Sequence, residues 1–98
     1  MYIEQQKDGT SLTITLSGSL SAASAPELEA WVADDLGDVE ELTLDLAAVD
    51  YVSSAGLRVL LLLHKKMSAQ GKMKVKNASP GVTDIFKMAG FMKFLEIV

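Results

Sequence analysis

Apolar residues recur along this chain with two alternating periods. Leu12, Ile14 and Leu16 stand at every second position, separated by Thr13, Thr15 and Ser17, which predicts a strand with one wet face. "YIEQQK" precedes it, and Asp8-Gly9 between the two suits a tight hairpin turn. Leu28, Trp31, Val32 and Leu36 then fall at helical spacing, with Ser24 and Glu27 in a capping-box pattern, Pro26 in the first turn and Gly37 as the stop. "LTLDL", residues 42–46, alternates again as a strand. The next helix runs from Ser53 to about Gln70 and closes at Gly71. "KMKVK", residues 72–76, puts Met73 and Val75 on one side of a short strand. Ser79-Pro80 opens a third helix that ends at Gly90, and "FLEIV" closes the chain as a strand.

The predicted order is β-β-α-β-α-β-α-β, in a single domain over residues 1–98. Helices crossing between strands imply a sheet that is at least partly parallel. Strands buried on both faces would be continuously apolar, whereas these carry Thr13, Thr15, Thr43, Asp45 and Lys74 at alternate positions. The expectation is a two-layer α/β sandwich: a mixed sheet with helices on one face and solvent on the other.

Composition narrows the function more by exclusion. The 98 residues suffice for a core but not for an elaborate superstructure above it. A net charge of −4 argues against nucleic acid as a direct partner. Without cysteine there is no thiolate metal site, disulfide or cysteine nucleophile. No apolar stretch approaches the ~20 residues of a membrane helix, and the first residues carry no secretory pattern, so a cytoplasmic protein without membrane insertion is expected. Asp34, Asp35, Asp38, Glu40 and Glu41 lack calcium-loop spacing and read as a solvated surface rather than a metal site. No glycine-rich phosphate loop is present, so no nucleotide or other cofactor is implied.

The chemistry concentrates in "VDYVSSAGLRVLLLLHKK", residues 49–66, where Ser53 and Ser54 stand at the start of a helix. One serine can serve as the helix cap. Nucleophilic catalysis would need a base, and the one histidine, His64, lies ten positions past Ser54, roughly 15 Å along the helix axis. No triad forms within the chain, so no catalytic residue is assigned. A third use is as a site where another protein adds charge. Gly56 favours that use: glycine is a poor helix former, and its missing side chain is expected to admit a close-approaching partner. Tight packing inside the domain, or a positive φ angle, is the competing explanation.

These residues resemble a known family. "DYVSSAGLRVLL", preceded by "LTLDLAAV" and followed by "SPGVTDIFKMAGFMKFLEI", is similar to a STAS domain of the bacterial anti-sigma factor antagonist type. The resemblance spans nearly the whole chain and includes "LSGSL". It implies phosphorylation of Ser54, with Ser53 as the alternative acceptor, by an anti-sigma factor that is itself a serine kinase, and reversal by a serine phosphatase. The dephosphorylated form would bind the anti-sigma factor and release a sigma factor or related target. Ser21, Ser53, Ser54, Ala55, Gly56 and Arg58 would form the partner surface. Where the family often carries an acidic residue before the phosphoacceptor, this chain has Ser53; where it often reads Glu-Leu-Asp, this chain has Ser19-Leu20-Ser21. The alternative is an unphosphorylated STAS subunit of an ABC-type lipid transporter. Met88 and Met92 are candidates for an adaptable contact surface.

Overall fold

The alternation of Leu12, Ile14 and Leu16 with threonines produces the strand it predicts. The computed structural model describes residues 1–33 and 36–98; Asp34 and Asp35 of the acidic cluster lie outside them. The order is β1 (Tyr2–Asp8), β2 (Ser11–Leu20), α1 (Ala25–Ala33), β3 (Glu41–Val52), α2 (Ser54–Ser68), β4 (Lys72–Lys76), α3 (Pro80–Met88), a 3₁₀ turn at Phe91–Lys93, and β5 (Glu96–Ile97). The sheet is ordered β1-β2-β3-β4-β5. β1 pairs antiparallel with β2, and the remaining neighbours pair in parallel.

One face of the sheet supplies the core. Leu12, Ile14 and Leu16 from β2, Leu42, Leu44 and Leu46 from β3, and Met73 and Val75 from β4 are all buried. Against them stand Val59, Leu60, Leu63 and Met67 of α2, Leu28 and Val32 of α1, and Val82 and Phe86 of α3. The apolar excess of α2 divides as its neighbours allow. Leu57 and Leu61 are partly covered, while Leu62 stays 38% exposed. On the opposite face Thr13, Thr15 and Asp45 are half-buried and Lys74 is exposed, while Thr43, on the central strand, is buried.

Local chemistry differs from the sequence expectation at several places. The hairpin loop is Gly9-Thr10, closed by the Asp8–Ser11 pair, with Gly9 at φ 62°. The capping box does not form. Ser24 Oγ instead accepts from the Ser21 N–H at 2.8 Å and donates to the Ser19 carbonyl at 2.7 Å, while the Glu27 N–H goes to the Ser24 carbonyl. Helix α2 stops at Ser68, with Ala69 as its C-cap, and the closing strand is only two residues long because a 3₁₀ turn occupies the segment before it. Capping of α3 follows the sequence: Ser79 Oγ accepts from the Val82 N–H at 3.2 Å.

The largest difference is in β3, which continues six residues past the expected end at Leu46. Thr15 pairs with Asp45 but Ser17 with Ala48, and Gly18 pairs with Val49 but Ser19 with Tyr51. Each shift inserts one extra residue on β3, a bulge that breaks the period-two alternation without ending the strand. Asp45 Oδ1 accepts from the Ala47 N–H at 3.0 Å and from Asn77 Nδ2 at 3.1 Å, holding the first bulge.

Two contacts fix the loop before β3. Gln70 Nε2 donates to the carbonyls of Leu36 and, at 2.6 Å, of Val39. Lys7 Nζ donates to Asp38 Oδ1 at 2.6 Å and so holds the Asp38 carboxyl below its ordinary range. The sign follows: the stabilisation is present above the ordinary carboxylate pKa and is lost as pH falls through the lowered value. Both groups are exposed, so water and salt keep the contribution small.

Candidate functional site

The parallel pairing of β2 with β3 ends with Leu20 beside Val52, bringing both strand exits to one edge of the sheet. The Ser53 N–H donates to the Leu20 carbonyl at 2.8 Å, which ties the start of α2 to the end of β2. Ser53 is the N-cap, in extended conformation, and its Oγ accepts from the Gly56 N–H at 3.2 Å. That leaves the adjacent hydroxyl for other work. Ser54 is the first helical residue and is exposed; among the described residues no hydrogen bond engages its side chain. The two serines are therefore distinguished by geometry: Ser53 holds the helix and Ser54 faces solvent.

Charge around Ser54 is permissive. The first turn of α2 contains no acidic residue. Amide groups at a helix N-terminus, with the macrodipole behind them, accommodate a negative group. Arg58, one turn further on, is exposed. Ser21 sits just past Leu20, half-buried, with its hydroxyl accepting from the Ala23 and Ser24 N–H groups at 3.3 and 3.4 Å. It shapes the turn into α1 while lying next to the serine pair.

Two features of this edge were not read from the sequence. Asp50 lies on β3, exposed, and its Oδ1 accepts from Ser19 Oγ at 2.7 Å. A carboxylate thus stands at the edge where Ser19 and Ser21 replace the acidic residues of the resembled family. The sequence pattern predicts a strand that ends at Leu46, with Asp50 beyond it. The second feature is an open groove of about 300 Å³ lined by Tyr51, Val52, Ser54, Leu57, Ile85, Met88 and Ala89. Tyr51 is 52% exposed and Met88 88%, so an apolar surface adjoins the free serine. Only the suggestion that Met88 serves a contact surface anticipated it. Met92 is exposed but does not line the groove.

Gly56 corrects an expectation. It is buried, and a Cβ built on it would come within 2.7 Å of Leu20 Cγ and 2.8 Å of the Leu20 carbonyl oxygen. The missing side chain lets α2 close against the end of β2; it does not admit an outside partner. Ala55 is half-buried against the core. Of the six expected contact residues, Ser54 and Arg58 are exposed, Ser21, Ser53 and Ala55 are half-buried, and Gly56 lies inside. Gly56→Ala is expected to cost about 1–3 kcal/mol, the usual range for forcing an atom into a packed interior. Urea denaturation checks this; a variant as stable as the parent would restore the surface role.

His64 lies toward the far end of α2, half-buried, with its ring 4.8 Å from that of Phe94. Among the described residues no group of histidines and carboxylates is arranged to hold a metal ion, and no helix is long and apolar enough to cross a membrane.

The family model of the STAS domain matches residues 2–98. The chain is 34% identical, over 99% of its length and 85% of the relative's, to BtrV of Bordetella bronchiseptica, whose name places it among the anti-sigma factor antagonists. The solved structure of the anti-sigma factor antagonist SpoIIAA in its unphosphorylated form superposes with a TM-score of 0.85 at 18% identity, covering 99% of this chain and 88% of that one. The phosphorylated form of the Bacillus cell fate determinant SpoIIAA gives 0.77 at 17% identity, covering 99% and 91%. At these identities the solved structures speak for the fold alone.

Proposed function

Because this chain belongs to the STAS domain family, we propose that it is an anti-sigma factor antagonist, a protein-binding switch set by phosphorylation of Ser54. The observation that carries the proposal is the pairing of an exposed, unengaged Ser54 with an apolar groove at the same helix start. Kinship at 34% identity to a relative named for this role supports it. In its dephosphorylated form the protein seats an anti-sigma factor over Ser54, Tyr51, Leu57, Ile85 and Met88, and so releases the target that factor holds.

The chain itself supplies an acceptor rather than a catalyst. The anti-sigma factor, acting as a serine kinase, brings ATP and the general base. Ser54 Oγ attacks the γ-phosphorus, the bond to the β-phosphate oxygen breaks with ADP leaving, and the hydroxyl proton passes to the kinase. A serine phosphatase restores the hydroxyl by hydrolysis. The capping bond that turns Ser53 Oγ toward the Gly56 N–H supports Ser54, rather than Ser53, as the acceptor.

Incubation with the cognate anti-sigma factor and ATP, followed by phosphopeptide mapping, tests this. Phosphate is expected on Ser54, absent from Ser54→Ala and retained in Ser53→Ala, whose lost cap costs about 1 kcal/mol. Phosphate on Ser53 alone, or on neither serine, would overturn the assignment.

A further inference from the structure

The sheet has two unlike edges. β5 offers two residues, whereas β1 runs seven, from Tyr2 to Asp8, with no proline and no register shift against β2. An open strand edge of that length presents a row of backbone groups suited to pairing with another strand. We propose that two copies of this chain associate through antiparallel pairing of β1 with β1, making one continuous sheet across a two-fold axis.

Charge selects the register. Ile3, Gln5 and Lys7 pair with Leu16, Ile14 and Leu12, so they share the helix-covered side; Tyr2, Glu4, Gln6 and Asp8 share the open side. A two-fold axis perpendicular to the sheet keeps like sides together, so one copy can slip past the other only two residues at a time. With Gln5 on the axis opposite itself, Ile3 meets Lys7, Glu4 meets Gln6 and Tyr2 meets Asp8. All of β1 is paired and no like charges stand opposite. Slipping one step sets Glu4 against Glu4, and slipping the other way sets Glu4 against Asp8; like charges directly opposite destabilise a strand pair.

A groove also borders this seam. It measures about 540 Å³ and lies between β1 and α1, lined by Met1, Tyr2, Ile3, Glu27, Ala30 and Trp31. In the Gln5-centred register the methylene stem of Lys7 from the second copy comes against Ile3 at this groove. The nearest like charges, Glu4 with Glu4 and Asp8 on the diagonals, are about 7–8 Å apart. That is close to the screening length of ~8 Å at physiological ionic strength, so added salt should favour the pair.

The chain has no cysteine, so a single introduced thiol reports the register without interference. Gln5→Cys places the two Cα atoms about 4.5–5.5 Å apart across the axis, within the span of a disulfide. Under mild oxidation Gln5→Cys is expected to give a covalent dimer about tenfold faster than Gln6→Cys, whose counterpart faces Glu4. Sedimentation equilibrium of the unmodified protein, from micromolar to millimolar, should show dimer growing with concentration and with salt. Gln5→Glu, which sets two carboxylates on the axis, should hold the protein monomeric with an unchanged melting temperature in dilute solution. A monomer at millimolar concentration, or equal cross-linking of the two cysteine variants, would overturn the proposal. Neither readout involves Ser54 or an anti-sigma factor, so this pairing stands or falls apart from the proposed switch.

Discussion

A negative charge at Ser54 is expected to weaken binding of the anti-sigma factor by roughly 100- to 1000-fold, while the melting temperature hardly moves. The two effects separate because the same group meets two environments. Within the fold, Ser54 is exposed at the first position of α2, where a negative charge is neutral to favourable by about 0.3–1 kcal/mol. Against a partner seated on the Tyr51–Leu57–Met88 groove, the phosphate must shed water beside an apolar surface. It adds about −1.5 to −2 charges. A desolvation penalty of about 3–4 kcal/mol without compensating donors corresponds to the expected loss of affinity. Titration calorimetry of the phosphorylated protein and of Ser54→Asp, beside thermal melts of each, measures both quantities. Unchanged affinity would remove Ser54 from the interface. A large fall in melting temperature would place its hydroxyl in the packing of the fold instead.

Gly71→Ala is expected to be the most destabilising single-methyl addition in the chain. A Cβ at this position would stand 1.9 Å from the Glu40 carbonyl oxygen and 2.8 Å from the Glu40 Cα. The obstruction is backbone, not a side chain able to turn aside. The same carbonyl accepts the N–H of Lys72 at 2.8 Å, the bond by which β4 enters the sheet beside β3. Relieving the clash moves either that bond or the turn after α2, where Gln70 clamps the loop leading into β3. A cost of about 3 kcal/mol lies at the upper end of overpacking penalties. In a domain of this size it lowers the melting temperature by roughly 12–24 °C. Differential scanning calorimetry of the variant decides the matter. A melt within a degree or two of the parent would mean that the crossing is looser than its geometry indicates.

Hydrophobic periodicity determined much of this protein. It set the element order, the helix-covered and wet sides of the sheet, and the start of α2 at the serine pair, because each depends on neighbours in sequence. Alternating Leu12, Ile14 and Leu16 can bury only one side of a strand, and a serine before an apolar helix can satisfy its amides from within a few residues. Motif likeness added the family and singled out Ser54 through the segment around it. What stayed hidden depends on partners distant in the chain. The bulges that carry β3 to Val52 exist because β2 supplies one residue where β3 supplies two, and they leave Asp50 and Tyr51 at the site's edge. Ser24 looked like a cap for Glu27, yet it serves Ser19 and Ser21 because the end of β2 turns back over it. The groove beside Ser54 joins Tyr51 and Leu57 to Ile85 and Met88, residues that only the packing of α3 against β3 brings together. Gly56 and Gly71 read as a surface gap and a helix stop. Local propensity could say no more, since the Leu20 and Glu40 backbones that forbid a side chain there arrive only with the fold.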